Sequence, residues 1–238
     1  GSSVSGVGGN GGSFEINCEY DDGWGESYIP CGDIQLSAHL ELSGGNGTDG
    51  GYGGEIYIEL DADYTPNGQQ VLLFGYTNIS VNGGNGAVNG GDSGYVDLEN
   101  DYGEHEGLYV FGGGVVCYAD INLNGGDGAT GEGGDSGYLD MESSYYYTNQ
   151  TTSPVMRIIS YSNVSANGGM GLTAGGSPGY IYYFGSQGVE NHGSISANGG
   201  DATGASASGA SCSDYGNIWF WADLAPVINT GMIVAQGG

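Results

Sequence analysis

Short segments in which apolar and polar residues alternate, each closed by paired glycines, recur along the chain. The clearest is Ile79-Ser80-Val81-Asn82-Gly83-Gly84. Close copies stand at 121–126, 164–169 and 195–200, looser ones at 40–45 and 233–238, and a worn one at 5–9. The first glycine of each pair falls at 8, 44, 83, 125, 168, 199 and 237. A repeat of this length predicts stacked supersecondary units rather than one globular core.

A second alternating segment follows each glycine-rich stretch, usually announced by glycine and often by Gly-Tyr. Its copies include Gly54-Glu55-Ile56-Tyr57-Ile58-Glu59, Gly94-Tyr95-Val96-Asp97-Leu98-Glu99 and Gly137-Tyr138-Leu139-Asp140-Met141-Glu142. Phe14-Glu15-Ile16 opens this series, and segments from Gly179 and Gly216 continue it. A period of two predicts strands with one buried and one exposed face. A third apolar stretch precedes the next glycine pair. It is expected at 34–36, 71–74, 108–111, 155–159 and 227–228, with no recognisable copy in the shortest repeat.

Three short strands per repeat and no helical periodicity predict an all-β chain. The expected fold is a parallel β-helix, or β-solenoid, of about six turns with glycine-rich loops. The whole chain, 1–238, reads as one such domain. Its columns of stacked residues follow from aligning the second strands. One outward column is Glu15, Tyr57, Asp97, Asp140, Tyr182, Trp219; the next is Asn17, Glu59, Glu99, Glu142, Phe184, Trp221. The glycine loops read either as packed extended layers or as mobile surface loops. A calcium-binding nonapeptide roll is the competing architecture. Gly44-Gly45-Asn46-Gly47-Thr48-Asp49 begins its motif, but Gly51 stands where an apolar residue belongs and no nine-residue period follows.

The string Ile195-Ser196-Ala197-Asn198-Gly199-Gly200, a glycine-rich loop and then Gly216-Asn217-Ile218-Trp219 resembles the glycine-rich repeats of secreted microbial surface proteins. Those belong to the pectin-lyase-like class of right-handed parallel β-helices. The resemblance implies architecture; the class spans lyases, hydrolases, adhesins and fibre proteins.

Composition narrows the function. Fifty-three of the 238 residues are glycine, without the strict Gly-X-Y period of collagen. Arg157 is the one Arg or Lys, against 28 acids, for a formal charge of -27. Such a chain repels nucleic acid and anionic membranes. No apolar run reaches the roughly 18 residues of a spanning helix, so no membrane insertion is expected. Nothing at the start reads as a signal peptide, so an exported protein would be present in its mature form. Cys18 and Cys31 lie in one repeat and are expected to close a disulfide. Cys117 and Cys212 sit three repeats apart, on the order of 14 Å, beyond bonding reach. They read as one buried thiol and one turn thiol, or as partners in another subunit. Asn46, Asn78, Asn149 and Asn163 match the glycosylation acceptor pattern.

Several groups are candidates for chemistry. Glu59, Glu99 and Glu142 would stack in successive layers and favour a bound cation, calcium above all. Asp92 and Asp135, in repeated Gly-Gly-Asp-Ser-Gly, are a second metal candidate or close turns by local hydrogen bonds. Tyr182, Trp219 and Trp221 read as an interface or a glycan-stacking surface. Asp101, Glu104, His105 and Glu106 form the one irregular cluster. The β-helix lyases of the resembled class use basic residues, of which this chain has only Arg157, and its hydrolases use clustered aspartates, whereas most acids here sit in register with the repeat, so no enzyme is expected.

The chain opens and closes in the same phase of the repeat, with no obvious polar cap. It therefore reads as an extracellular or cell-surface structural protein, assembled end to end with further copies into a filament or stalk. An adhesive carbohydrate-binding module is the alternative, and a polysaccharide-degrading enzyme a third reading.

Overall fold

The computed structural model describes residues 5–18, 33–61, 69–75, 77–101, 112–144, 156–211 and 217–238. The strands fall into six layers of three. The first layer holds β1 (Ser13–Cys18), β2 (Ile34–Leu36) and β3 (Leu40–Glu41). The second holds β4 (Glu55–Asp61), β5 (Gln69–Leu73) and β6 (Asn78–Ser80), and the third β7 (Tyr95–Asp101), β8 (Gly112–Cys117) and β9 (Asp120–Asn122). The fourth holds β10 (Tyr138–Ser143), β11 (Ile158–Ser160) and β12 (Val164–Ser165). The fifth holds β13 (Tyr180–Gly185), β14 (Val189–Asn191) and β15 (Ile195–Ser196), and the sixth β16 (Ile218–Trp221), β17 (Val227–Asn229) and β18 (Ile233–Val234). Like strands pair in parallel, giving three six-stranded sheets. The expected parallel β-solenoid of six turns is therefore the fold. No helix among the described residues is long and apolar enough to cross a membrane.

The register of the first sheet is the one the alternation predicts. Tyr57 pairs with Asp97, Asp97 with Asp140, Asp140 with Tyr182, and Tyr182 with Trp219. The third stretches were less legible. The copy expected at 108–111 lies outside the described residues, and β8 occupies its place in the sheet with Val115 in the core column. β8 begins in three glycines and carries an irregularity opposite Gln69 and Gln70, so its sequence has little apolar signal. The shortest repeat does contain a third strand, β14, whose Val189 pairs with Ile158.

The inward columns exchange volume between sheets. In the first sheet one column runs Ile16, Ile58, Leu98, Met141, Tyr183, Phe220. In the second sheet the column shrinks from Leu36 and Leu73 to Cys117 and Ser160, where Tyr183 enters the first-sheet column, and grows again at Asn191. Leu123 of the third layer likewise gives way to Ala166 and Ala197, all three fully buried. A close-packed interior requires such compensation. Tyr183 is fully buried, and its hydroxyl meets Ser160 Oγ at 3.4 Å.

The glycine-rich loops are ordered layers, not slack. A file of backbone hydrogen bonds crosses them from one layer to the next. Gly238 N–H donates to the Ala210 carbonyl, Ala210 to Gly200, Gly200 to Gly176, Gly176 to Gly169 and Gly169 to Gly134. The file continues through Gly126, Gly91, Gly84, Gly51 and Gly45 to the Gly9 carbonyl. Outgoing and returning arms of each loop alternate along it. A Cβ at Gly91 would fall on the Gly51 carbonyl, and one at Gly134 on that of Gly91. Close backbone approach thus demands glycine at these positions.

The asparagine of the recurring phrase has a matching role. Asn82 Oδ1 accepts the Asn124 N–H at 2.7 Å, Asn124 Oδ1 that of Asn167 at 3.0 Å, and Asn167 Oδ1 that of Asn198 at 2.9 Å. A second file links Asn46, Asn85, Asp127 and Met170, each step 2.8 Å. These side chains satisfy loop N–H groups that no sheet reaches.

Candidate functional site

The outward face of the first sheet gathers the candidate residues. Strand alternation places every second side chain of β1, β4, β7, β10, β13 and β16 there. Glu59, Glu99 and Glu142 are register partners in successive layers, as expected. Tyr57 Oη donates to Glu99 Oε2 at 3.3 Å, and Tyr95 Oη to Glu55 Oε2 at 3.2 Å. Among the described residues no three His, Cys, Asp or Glu side chains converge as a metal-binding group.

Asp92 and Asp135 also stack, one layer apart, on the returning arms of the loops. Asp92 Oδ1 accepts the Asp135 N–H at 2.8 Å, and Asp135 Oδ1 accepts the Ser177 N–H at 2.6 Å. Their hydroxyl neighbours Ser93 and Ser136 donate to the Val81 and Leu123 carbonyls. The aspartates bond to the next layer rather than to their own turn. Burial holds the Asp92 carboxyl above the ordinary carboxylate range, and the Asp135 charge adds to this, while the hydrogen bond from Asp135 N–H opposes it.

Beyond the carboxylates the same face becomes aromatic. In β13, Tyr180 and Tyr182 lie with ring centroids 6.1 Å apart, and Tyr182 and Phe184 6.3 Å apart, with planes within 19°. Trp219 and Trp221 flank this row in the next layer, 49% and 52% exposed. Trp221 Nε1 donates to Asp223 Oδ1 at 3.0 Å. On the other side Asp140 and Glu142 pair with Tyr182 and Phe184. Burial raises the Tyr182 hydroxyl pKa, with Glu142 and Asp140 adding to the rise. Burial pushes Tyr138 up to about 12, with Tyr95, Asp97 and Asp140 contributing. A cleft of about 220 Å³ opens at the head of the row, between Tyr138, Tyr180, Pro178 and Ser177.

Two aromatic files escaped the sequence reading. Tyr95 and Tyr138 stack at 4.8 Å and 3°, the Gly-Tyr tyrosines that served only to mark strand starts. Tyr118, Tyr161 and His192 stack at 4.8 Å along a corner of the solenoid. The equal offset of Tyr118 and Tyr161 from the recurring glycine pair is the signal that could have revealed them. His192 is otherwise satisfied by Thr230 Oγ1 at 2.7 Å and Glu190 at 3.3 Å, and Arg157 meets Glu190 at 3.5 Å.

The remaining candidates are dispersed. Cys18 is disulfide-bonded, while its expected partner Cys31 lies outside the described residues. Cys117 is a buried free thiol, pushed up to about 11 by burial. Of the glycosylation acceptors, Asn46 and Asn163 are exposed and Asn78 is half-buried. All three take part in interlayer hydrogen bonds, Asn163 Nδ2 donating to Asp120 Oδ1 at 2.9 Å. Asn149, Cys212, Glu104, His105 and Glu106 lie outside the described residues, as does the side chain of Asp101. Fold and face together define a parallel β-solenoid with an acidic and aromatic flank. No protein family, curated protein or solved structure matches the chain.

Proposed function

We propose that the protein is an extracellular structural element, a rod that stacks end to end with further copies into a surface filament or stalk. The observation that carries this reading is the unbroken file of interlayer hydrogen bonds through the glycine loops, from Gly238 to the Gly9 carbonyl, which makes each layer a template for the next. Val189 and Ile195 are 0% and 1% exposed, whereas their partners Val227 and Ile233 are 43% and 40% exposed. Each sixth-layer strand also pairs on one side only. Unpaired parallel edges over an apolar layer are a template for another layer. A second copy offers one, because its first layer has the same three strands. A head-to-tail contact of this kind repeats without closing and gives a filament.

Other features support the reading. Glycine packing and asparagine files tie every layer to the next, which suits a stiff spacer. The bonded Cys18 suits an oxidising, extracellular compartment. Kinship with glycine-rich surface proteins of the pectin-lyase-like class belongs to the same proposal. Calcium enters it as a counterion along Glu59, Glu99 and Glu142.

Sedimentation of the wild type against a Val227→Asp, Ile233→Asp double variant tests the proposal. Wild-type protein should form concentration-dependent assemblies in high salt, and the double variant should stay monomeric. Equal sedimentation of the two would overturn it.

A further inference from the structure

We infer that the aromatic flank over β13 and β16 is a binding track for a cationic polysaccharide, a polymer of amino sugars with free amines. The inference is independent of filament formation, because stacking covers strand edges and leaves the outward face open.

The track has two components on one sheet face. Tyr180, Tyr182 and Phe184 form a row of near-parallel rings spaced 6.1 and 6.3 Å apart, and Trp219 and Trp221 run beside it. Aromatic faces pack against the C–H faces of pyranose rings, and their quadrupoles attract ammonium groups. Asp140 and Glu142 line the opposite border as the register partners of Tyr182 and Phe184. Each is therefore about one strand spacing, roughly 4.8 Å, from its aromatic neighbour. Glu142 is placed to accept hydrogen bonds from sugar hydroxyls and ammonium groups, while Asp140, whose Oδ1 is buried, contributes chiefly its charge. The cleft beside Pro178 gives the track an end where a terminal sugar fits.

Charge selects among glycans. A chain with a net charge of -27 and one Arg or Lys repels uronic-acid and sulfated polymers. The same charge disfavours a second copy of this chain on the flank. A cationic polymer is attracted along the whole acidic face and held by the aromatics at one end of it.

Titration with a chitosan hexasaccharide, followed by tryptophan fluorescence and calorimetry, tests the inference. Expected are saturable binding that weakens with salt, and tighter binding than to the N-acetylated hexasaccharide. Trp219→Ala and Trp221→Ala should each lower affinity about fivefold to tenfold. Glu142→Gln should lower it severalfold and flatten the salt dependence, while Glu132→Gln, on the glycine loops, should change neither. Circular dichroism checks that each variant keeps its β-structure, and Trp221→Phe, which retains a ring, should recover part of the loss. The inference fails if the chitosan oligomer does not bind, if the N-acetylated oligomer binds equally well, or if Trp219→Ala alters self-association while leaving glycan affinity intact.

Discussion

Single residues carry the layer contacts, and glycine is the least replaceable. Gly91→Ala should destabilise the fold near the top of the about 1–3 kcal/mol range for overpacking, because the new methyl meets the Gly51 backbone rather than a movable side chain. Gly12→Ala is the control, since its Cβ would have only Leu42 Cδ2 nearby, at 3.9 Å. Thermal melts of the two variants should differ clearly. Cys117 makes a pH prediction. Its folded-state pKa is raised from 9.0 to about 11 by burial, so the neutral thiol is favoured in the fold. The stability this gives is complete below pH 9 and is lost as pH rises toward 11. The rise amounts to about 3 kcal/mol. Denaturation of wild type and Cys117→Ala at pH 8 and pH 11 should show a smaller alkaline loss in the variant.

At the level of elements, the strands are held in register by side-chain files as much as by sheet bonds. Asn124 Oδ1 accepts from Asn167 N–H at 3.0 Å, Asn167 Nδ2 at 3.1 Å and Ser165 Oγ at 2.7 Å. Asn124→Ala strands these donors and should cost about 1–3 kcal/mol in urea denaturation. Asn124→Asp keeps the acceptor, as Asp127 does for Met170, and should cost less. The first-sheet strands were legible because Ile56, Ile58, Val96 and Leu98 alternate with polar residues and exclude the opposite facing. In the second sheet the strands at 34–36, 69–73, 158–160 and 227–229 were legible too, but β8 and β14 were not. β8 draws on Gly112, Gly113 and Gly114, and β14 presents only Val189 between Gly188 and Glu190. Periodicity has nothing to report there, and the neighbouring strands impose the pairing. The outward columns were therefore readable residue by residue, down to the carboxylate and tryptophan ends. The cleft beside Pro178 was not, because a returning loop builds one of its walls.

For the whole molecule, like charge opposes both folding and stacking. With -27 formal charges, salt should raise the melting temperature and promote assembly. Mild acid should do the same. Asp92 has a raised folded-state pKa, so the stability linked to its protonation is present in acid and lost as pH rises through that value. Melting should therefore occur at a higher temperature on the acid side of the Asp92 titration than at pH 8, with added salt narrowing the gap. In the proposed filament one copy continues the layers of another. Cryo-electron microscopy of the purified protein in high salt tests it most directly. Expected are filaments in which the layer spacing of about 4.8 Å runs without a break across each junction between copies. Isolated rods at every salt and protein concentration, or filaments joined side to side, would contradict it.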